Sequence, residues 1–201
     1  MNKRVIDISY RGLKHSAETA ANTLLEELSL LDTNYIDVHN ILNTLVINNH
    51  KLGIHSDNLE GVKGYTLHRD GRFMVCYDPK SFHRHSIRFT IAHEIGHIYL
   101  GHFKKNITSR QLYGKCEHEA NYFAAALLMP EHLLSQYNTL SSEEIANKLD
   151  VSEESLGYRI NTLHSLKKSS GFHINFCSTC GNLIYGKYAN YCAQCGIEIT
   201  V

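Results

Sequence analysis

The 201-residue sequence has no excess of charge of either sign, because 20 lysines and arginines balance 20 aspartates and glutamates. A protein that works mainly on nucleic acid or on an acidic membrane surface usually carries a marked basic excess. Long apolar runs are also missing, and no segment approaches the roughly 20 apolar residues of a membrane-spanning helix. We therefore expect neither a membrane protein nor one dominated by nucleic-acid contacts.

An export signal is missing as well, since the N-terminal stretch MNKRVIDISYRGLKH has no apolar core. The sequence therefore predicts a cytoplasmic protein. Of the six cysteines, Cys76 and Cys116 are isolated, and the other four form two CxxC pairs near the C-terminus. In a chain without an export signal, such pairs favour metal binding over disulfides.

Three segments ahead of the middle of the chain have clear secondary-structure patterns. Leucines at helical spacing predict a packing helix over residues 16–31, with Ser16 as its cap, and a similar helix is predicted over 36–47. The run YTLH-RDG-RFMVCY predicts a β-hairpin that turns at Asp70-Gly71. Together with the helices described below, these segments predict an α+β fold with a small antiparallel sheet.

The strongest predicted helix spans residues 86–102 and contains the run HEIGH. His93 and His97 lie about 40° apart on one helical face, where both rings can bind one Zn²⁺. Glu94 points beside the metal and can take a proton from an attacking water molecule. Gly96 costs about 1 kcal/mol of helix stability relative to alanine, so we expect another backbone or a substrate to approach closely there.

A catalytic zinc site needs a third protein ligand and one open position. In metzincins this ligand is a histidine six residues after the second histidine of the motif, which here is Phe103. His102 is off by one position, so that subclass is disfavoured. The alternative source is a carboxylate from the next predicted helix, residues 115–129, KCEHEANYFAAALLM.

Helical phase chooses between the two glutamates of that helix. Glu117 and Glu119 point about 200° apart, and only Glu117 shares a stripe with small and apolar residues. Asn121 lies one turn further along the same stripe and can accept the second ring N–H of a liganding histidine. We therefore predict Glu117 as the third ligand and Glu119 as a solvated charge on the outer face.

Residues 141–163, SSEEIANKLDVSEESLGYRINTL, have the pattern of a helix-turn-helix pair joined at residues 149–151. Ser141 or Ser142 is the predicted cap of the first helix, and Ser152 that of the second. The second helix starts with two glutamates and has Arg159 as its clear cation. Because phosphate contacts need more positive charge, we do not expect direct DNA binding and favour a packing or substrate-docking role.

The C-terminal segment has two CxxC knuckles separated by 11 residues, each followed by glycine. Four thiolates in this arrangement predict a closed tetrahedral zinc site in a zinc ribbon. So small a module depends on its metal for much of its folding free energy. The four predicted ligands are Cys177, Cys180, Cys192 and Cys195. The predicted domains are a metallopeptidase domain (1–135), a helix-turn-helix-like segment packed on it (136–170) and the ribbon (171–201).

The run RFTIAHEIGHIYLGH followed by ExxANxFAAALLMP resembles the ImmA/IrrE family of zinc metallopeptidases, over about residues 60–166. The resemblance implies a small gluzincin-like domain in which His93, His97 and Glu117 hold zinc and Glu94 is the base. It also implies that the substrate is a regulatory protein, often a helix-turn-helix repressor of a phage or mobile element.

Two functions are therefore in question. The first is a zinc endopeptidase of narrow specificity with one catalytic and one structural zinc ion. The alternative is a non-proteolytic regulatory module that keeps the zinc fold and acts by contact with a transcription factor or DNA. Glu94 favours catalysis, because a purely structural metal site has no use for a base beside the metal.

Overall fold

The computed structural model of the chain describes residues 2–47, 49–80, 84–167, 174–176, 183–185 and 197–198. The chain divides into two compact units, Met1–Leu128 and Met129–Val201. The helices are α1 (Asn2–Glu27), α2 (Val38–Thr44), α3 (Arg84–Tyr99), α4 (Arg110–Leu128), α5 (Glu131–Gln136), α6 (Ser142–Leu149) and α7 (Glu153–Lys167). The strands are β1 (Val46–Ile47), β2 (His50–Lys51), β3 (Gly53–Ser56), β4 (Gly64–Arg69), β5 (Arg72–Tyr77), β6 (Ile174–Phe176) and β7 (Leu183–Tyr185). Among these described helices, none combines the length and the apolar character that crossing a bilayer requires.

The first helix is longer at its N-terminus than the sequence predicted. It begins at Asn2 and runs through Ser16, so the prediction of a cap at Ser16 was wrong. The residues before Ser16 contain no proline, so the helix that begins at Asn2 continues through Ser16 without a break. It ends at Glu27, before Ser29 adopts a left-handed backbone with φ 55°. Leu24 and Leu25 are fully buried, and α1 packs mainly against α4.

The second helix is shorter than predicted at both ends, since it spans Val38–Thr44 rather than residues 36–47. Asp37 accepts hydrogen bonds from the backbone N–H groups of His39 and Asn40, which starts α2 at Val38. The helix ends at Thr44, and residues 46–47 form the short strand β1, which pairs with β2.

The hairpin is present as predicted, but the sheet is mixed rather than antiparallel. Strands β4 and β5 pair antiparallel through a turn at Asp70-Gly71, whose φ values of 51° and 75° fit the type I′ turn favoured in hairpins. Strand β3 pairs in parallel with the other side of β5, so the strand order is β3-β5-β4. The connection between β3 and β4 passes over the end of β5, where Asp78 N–H donates to the Lys63 carbonyl. This connection puts β3 parallel to β5 and leaves β4 at the edge.

One face of this sheet packs on α3, and it permits no side chain at the start of β4. Phe73 and Val75 of β5 are buried on that face. At Gly64, which pairs with Tyr77, an added Cβ would lie 2.5 Å from the Thr90 methyl group and 2.9 Å from the Cys76 carbonyl oxygen. Glycine therefore lets β4 lie directly against α3.

Helices α3 and α4 pack closely where α3 contains its glycine. A Cβ at Gly96 would lie 3.0 Å from Phe123 Cδ1 and 3.3 Å from the Ala120 carbonyl oxygen of α4. The expected close backbone approach at Gly96 is thus confirmed. Helix α3 ends earlier than predicted, because Gly101 turns the chain with φ 67° and places His102 in a short 3-10 turn.

The second unit, Met129–Val201, contains the predicted helical pair as α6 and α7. Ser141 and Glu144 form a reciprocal capping box at the start of α6, and Ser152 accepts a hydrogen bond from the Ser155 N–H at the start of α7. Asp150, with φ 52°, makes the turn between the two helices. Strands β6 and β7 pair antiparallel.

The four cysteines of the predicted zinc ribbon, Cys177, Cys180, Cys192 and Cys195, lie outside the described residues. The ribbon and its zinc ion therefore stay a prediction, as do the domain boundaries at 135 and 170.

Candidate metal centre

Three predicted ligand groups meet where α3 crosses α4. His93 and His97, one turn apart on α3, bring their Nε2 atoms to 3.0 Å from each other. Glu117 of α4 faces both rings, with Oε2 3.5 Å from His93 Nε2 and Oε1 3.3 Å from His97 Nε2. These three residues form the one group of histidine, cysteine and acidic ligands found close enough to hold a metal among the described residues.

The chemistry and spacing of this donor set fit zinc. Zinc prefers imidazole nitrogen and carboxylate oxygen at about 2.0–2.2 Å, and donors at tetrahedral corners are then about 3.3–3.5 Å apart. The Nε2 atoms lie 3.0 Å apart, and their distances of 3.5 and 3.3 Å to the two oxygens of the Glu117 carboxylate also lie close to that value. Three protein ligands also leave the fourth corner for water or substrate, which is the pattern of catalytic rather than structural zinc sites.

The ring of His93 is held from behind by Asn121. Its Nδ1 lies 2.8 Å from Asn121 Oδ1, one turn along α4 from Glu117. An amide oxygen only accepts, so His93 Nδ1 carries the hydrogen and its Nε2 presents a lone pair towards Glu117. This is the outer contact that the helical phase of Asn121 predicted.

The protonation of two ligands is set by their surroundings. Burial, and next the neighbouring His93, lower the pKa of His97 to about 4. The ring is therefore neutral near pH 7, which is the form that binds a metal. The contact with His93 lowers the pKa of Glu117 despite partial burial, and His97 acts in the same direction. The carboxylate is therefore ionised at neutral pH.

Glu94 lies beside the three ligands rather than among them. Its side chain is only 8% exposed, and burial raises the pKa of its carboxyl group. Thr66 of β4 donates a hydrogen bond of 2.7 Å to Glu94 Oε2, which partly opposes that rise. A carboxylate with a raised pKa next to an open metal position suits a general base. Sequence reasoning missed Thr66, although strand alternation places it on the face of the sheet that packs on α3.

The sequence prediction for Glu119 was wrong. It is not a solvated outer charge but is 6% exposed, with Oε2 3.1 Å from His102 Nε2 and 3.2 Å from Lys105 Nζ. The other ring nitrogen of His102 lies 3.0 Å from His97 Nδ1. Burial alone would raise the pKa of Glu119, but its contacts with His102 and Lys105 outweigh this and lower the pKa. Helical phase could not find these partners, because they come from the turn after α3.

The four groups face a cavity of about 510 Å³ in the first unit. Its walls are the start of β4, one face of α3 and the N-terminal part of α4 as far as Asn121, with Phe89 and Phe103 as apolar lining. Tyr113 also lines the cavity, is 55% exposed and has a raised pKa, caused first by the nearby Glu117 charge. Tyr99 of α3 donates its hydroxyl hydrogen to Glu27 of α1.

Comparison with known families agrees with this geometry. The sequence profile of the Peptidase M78 family, the IrrE N-terminal-like domain, matches residues 46–161, which is more than half of the chain. The protein belongs to this family, and the resemblance read from the HEIGH and ANYFAAALLMP runs is confirmed. Membership indicates a metallopeptidase-like or IrrE-like regulatory protein, in a family that is typically zinc-dependent.

Among solved structures, the chain is similar to a Mycobacterium tuberculosis transcriptional regulator, with a TM-score of 0.57 at 15% sequence identity. The match covers 89% of this chain and 59% of that protein, so the chain spans somewhat more than half of its length. At this identity the similarity concerns the fold alone. A comparison with curated proteins found no match.

Proposed function

We propose that the protein is a zinc-dependent endopeptidase of narrow specificity that cleaves a regulatory protein, such as a helix-turn-helix repressor of a phage or mobile element. The observation that carries the proposal is the meeting of His93, His97 and Glu117 beside a buried Glu94 at an open cavity. Membership of a peptidase family supports the same chemistry. The repressor-like substrate rests on the family resemblance.

In this proposal His93, His97 and Glu117 hold one Zn²⁺. When bound, zinc polarises the scissile carbonyl group and lowers the pKa of a water molecule from its bulk value towards about 7. The neutral His97 ring and the ionised Glu117 carboxylate suit this task, since they bind the cation without first losing a proton. Asn121 fixes the ring of His93 through their 2.8 Å contact.

Glu94 acts as the general base and then as the general acid. It takes a proton from the attacking water and passes it to the amine of the leaving peptide. Its burial favours the protonated form between these steps, and the hydrogen bond from Thr66 keeps one oxygen occupied while the other remains available. Tyr113 is our choice for the donor that stabilises the developing oxyanion, because its hydroxyl group lies at the cavity beside Glu117.

The substrate binds as an extended peptide along β4. This strand is an edge of the described sheet, and Gly64, Tyr65 and Thr66 form one wall of the cavity. Backbone groups on an edge strand can pair with an added strand, which supplies affinity with little dependence on sequence. The apolar lining by Phe89 and Phe103 then favours an apolar side chain near the cleaved bond.

The test is to incubate the purified protein with the repressor encoded next to it and to identify fragments by mass spectrometry. We expect one defined cut in the wild type, and none in Glu94→Gln, which keeps the side-chain shape but removes the base. Zinc content must be unchanged in that variant. Glu154→Gln, at an exposed position of α7, is the matched control and should cleave normally. Persistent cleavage by Glu94→Gln would reject the role given to Glu94.

The alternative, a regulatory module without proteolysis, predicts no fragment from any such partner while zinc remains bound. Contact with DNA through α7 has little support, because Arg159 is 0% exposed and donates from Nε to the Met129 carbonyl at 2.9 Å. Its charge is therefore not available to a phosphate group. Stable co-purification of intact repressor with the wild type would favour the alternative.

A further inference from the structure

A chain of hydrogen-bonded side chains leads from the metal centre away from the cavity. It starts at His97, whose Nδ1 lies 3.0 Å from His102 Nδ1. It continues from His102 Nε2 to Glu119 Oε2 at 3.1 Å, and Lys105 Nζ reaches the same oxygen at 3.2 Å. His102 is 3% exposed and Glu119 is 6% exposed, so the middle of the chain is shielded from water.

Glu119, at the far end of this series of hydrogen bonds, determines where each hydrogen lies. An ionised Glu119 only accepts hydrogen bonds, so His102 Nε2 must donate to it. The tautomer of His102 with its hydrogen on Nε2 has a bare Nδ1, which accepts from His97 Nδ1 at 3.0 Å. His97 is thereby left with its hydrogen on Nδ1 and a lone pair on Nε2, the atom that lies 3.3 Å from Glu117 Oε1. This is the tautomer that a metal ligand needs.

We propose that His102 and Glu119 are positioning residues that fix His97 in its Nδ1–H tautomer and orient its Nε2 towards the metal. The inference rests on the metal site of the proposed function, but it does not depend on peptidase activity. Outer-shell partners of this kind raise the basicity of a histidine ligand, and losing one typically weakens metal binding about 10–100-fold.

The local backbone explains how His102 comes to lie behind His97. Gly101 leaves the helix in a left-handed conformation, and the following 3-10 turn brings His102 back against α3 and α4. The two histidine ligands are therefore supported differently. His93 donates to the neutral amide of Asn121, whereas His97 is coupled through an imidazole to a carboxylate.

Three variants separate this role from simple packing. His102→Phe keeps a ring but removes both nitrogens, so His97 loses its acceptor. His102→Gln keeps one acceptor and one donor, and should retain most of the zinc affinity of the wild type. Glu119→Gln keeps the shape, but its amide can also donate, so the reversed order of hydrogens is no longer excluded. His39→Phe, at an exposed histidine on α2, is the control for a histidine-to-phenylalanine change.

The first measurement is the tautomer of His97 in the protein freed of its weakly held metal, from long-range ¹H–¹⁵N spectra of the histidine rings. We expect Nδ1–H in the wild type, in His102→Gln and in His39→Phe, and a mixture in His102→Phe and Glu119→Gln. The second is zinc affinity by competition with a chromogenic chelator, which should fall about 10–100-fold in His102→Phe. If His102→Phe does not fold, the His97 tautomer and the zinc affinity of Glu119→Gln test the inference instead.

A wild type in the Nε2–H form, or a His97 ring and zinc affinity unaltered in the folded His102 and Glu119 variants, would overturn the inference. Its failure can be told from that of the proposed function. If the variants alter the tautomer and the zinc affinity but the wild type cleaves nothing, the positioning role of His102 and Glu119 stands and the proposed peptidase function is rejected. Normal cleavage with unaltered affinity and tautomer would do the reverse.

Discussion

The hydroxyl group of Thr66 donates a 2.7 Å hydrogen bond to Oε2 of Glu94, joining the edge strand β4 to the metal helix α3. Because this contact joins the proposed base to the proposed peptide-binding strand, a peptide that moves β4 also acts on Glu94. Removing the Thr66 hydroxyl group should therefore change both the rate of cleavage and the pKa of Glu94.

Thr66→Val should lower the rate of cleavage about tenfold with zinc still bound, since one hydrogen bond to a charged group contributes about 1.5 kcal/mol. The pKa of Glu94 should rise further, because the bond from Thr66 favours the ionised form. The acidic limb of the pH–rate profile should therefore move to higher pH. Thr66→Ser keeps the hydroxyl group and serves as the control. An unmoved acidic limb in Thr66→Val would show that the contact does not tune the base.

Tyr113→Phe should lower kcat about 100-fold with little change in KM, as expected when a donor to a developing oxyanion is lost. Tyr99→Phe is the matched control, because Tyr99 hydrogen-bonds Glu27 outside the cavity and its loss should leave kcat unchanged. Steady-state kinetics on a peptide spanning the cleavage site would measure both. Equal rates for Tyr113→Phe and the wild type would assign oxyanion stabilisation to another group.

Gly96→Ala should destabilise the protein by about 1–3 kcal/mol, because its Cβ would meet Phe123 and the Ala120 carbonyl group. Gly114→Ala offers the same change on α4, where an added Cβ meets nothing within 4 Å. It should raise stability by about 0.5–1 kcal/mol. Urea unfolding of both variants gives the comparison. A neutral Gly96→Ala would mean that α3 and α4 can separate without cost.

Zinc content should be two ions per chain, one removed readily by a mild chelator and one held by thiolates. Cys177→Ser should abolish the tightly held ion, whereas His97→Ala should abolish the labile one. Metal analysis before and after chelation distinguishes them. A single ion in the wild type, or a labile ion that survives in His97→Ala, would contradict this assignment.

The parts of the fold that the sequence predicted are those decided by neighbouring residues. The type I′ turn follows from Asp70-Gly71, and the start of α6 follows from the Ser141 and Glu144 capping box. Helix α3 and the meeting of its two histidines with Glu117 depend on a four-residue spacing and on the phase of one further helix. Such features need little knowledge of the remaining chain.

The parts that were missed are decided by distant residues. Strand β3 is short and polar, and only its pairing with β5 makes it a strand. Glu119 is buried because His102 and Lys105, 17 and 14 residues away in sequence, supply its partners. A helical wheel of α4 shows that Glu119 and Glu117 diverge, but it cannot show that both directions lead into protein.

Gly64 is a position of the proposed substrate-binding strand β4 where no side chain fits. Any larger residue there would push β4 off Thr90 and, two positions along, would also pull Thr66 from Glu94. Divergence towards new targets is therefore blocked at the beginning of this strand and must proceed through exposed neighbours such as Lys63 and Tyr65. Substitutions at these exposed neighbours can therefore change which peptide the protein recognises, while the distance between β4 and α3 stays constant.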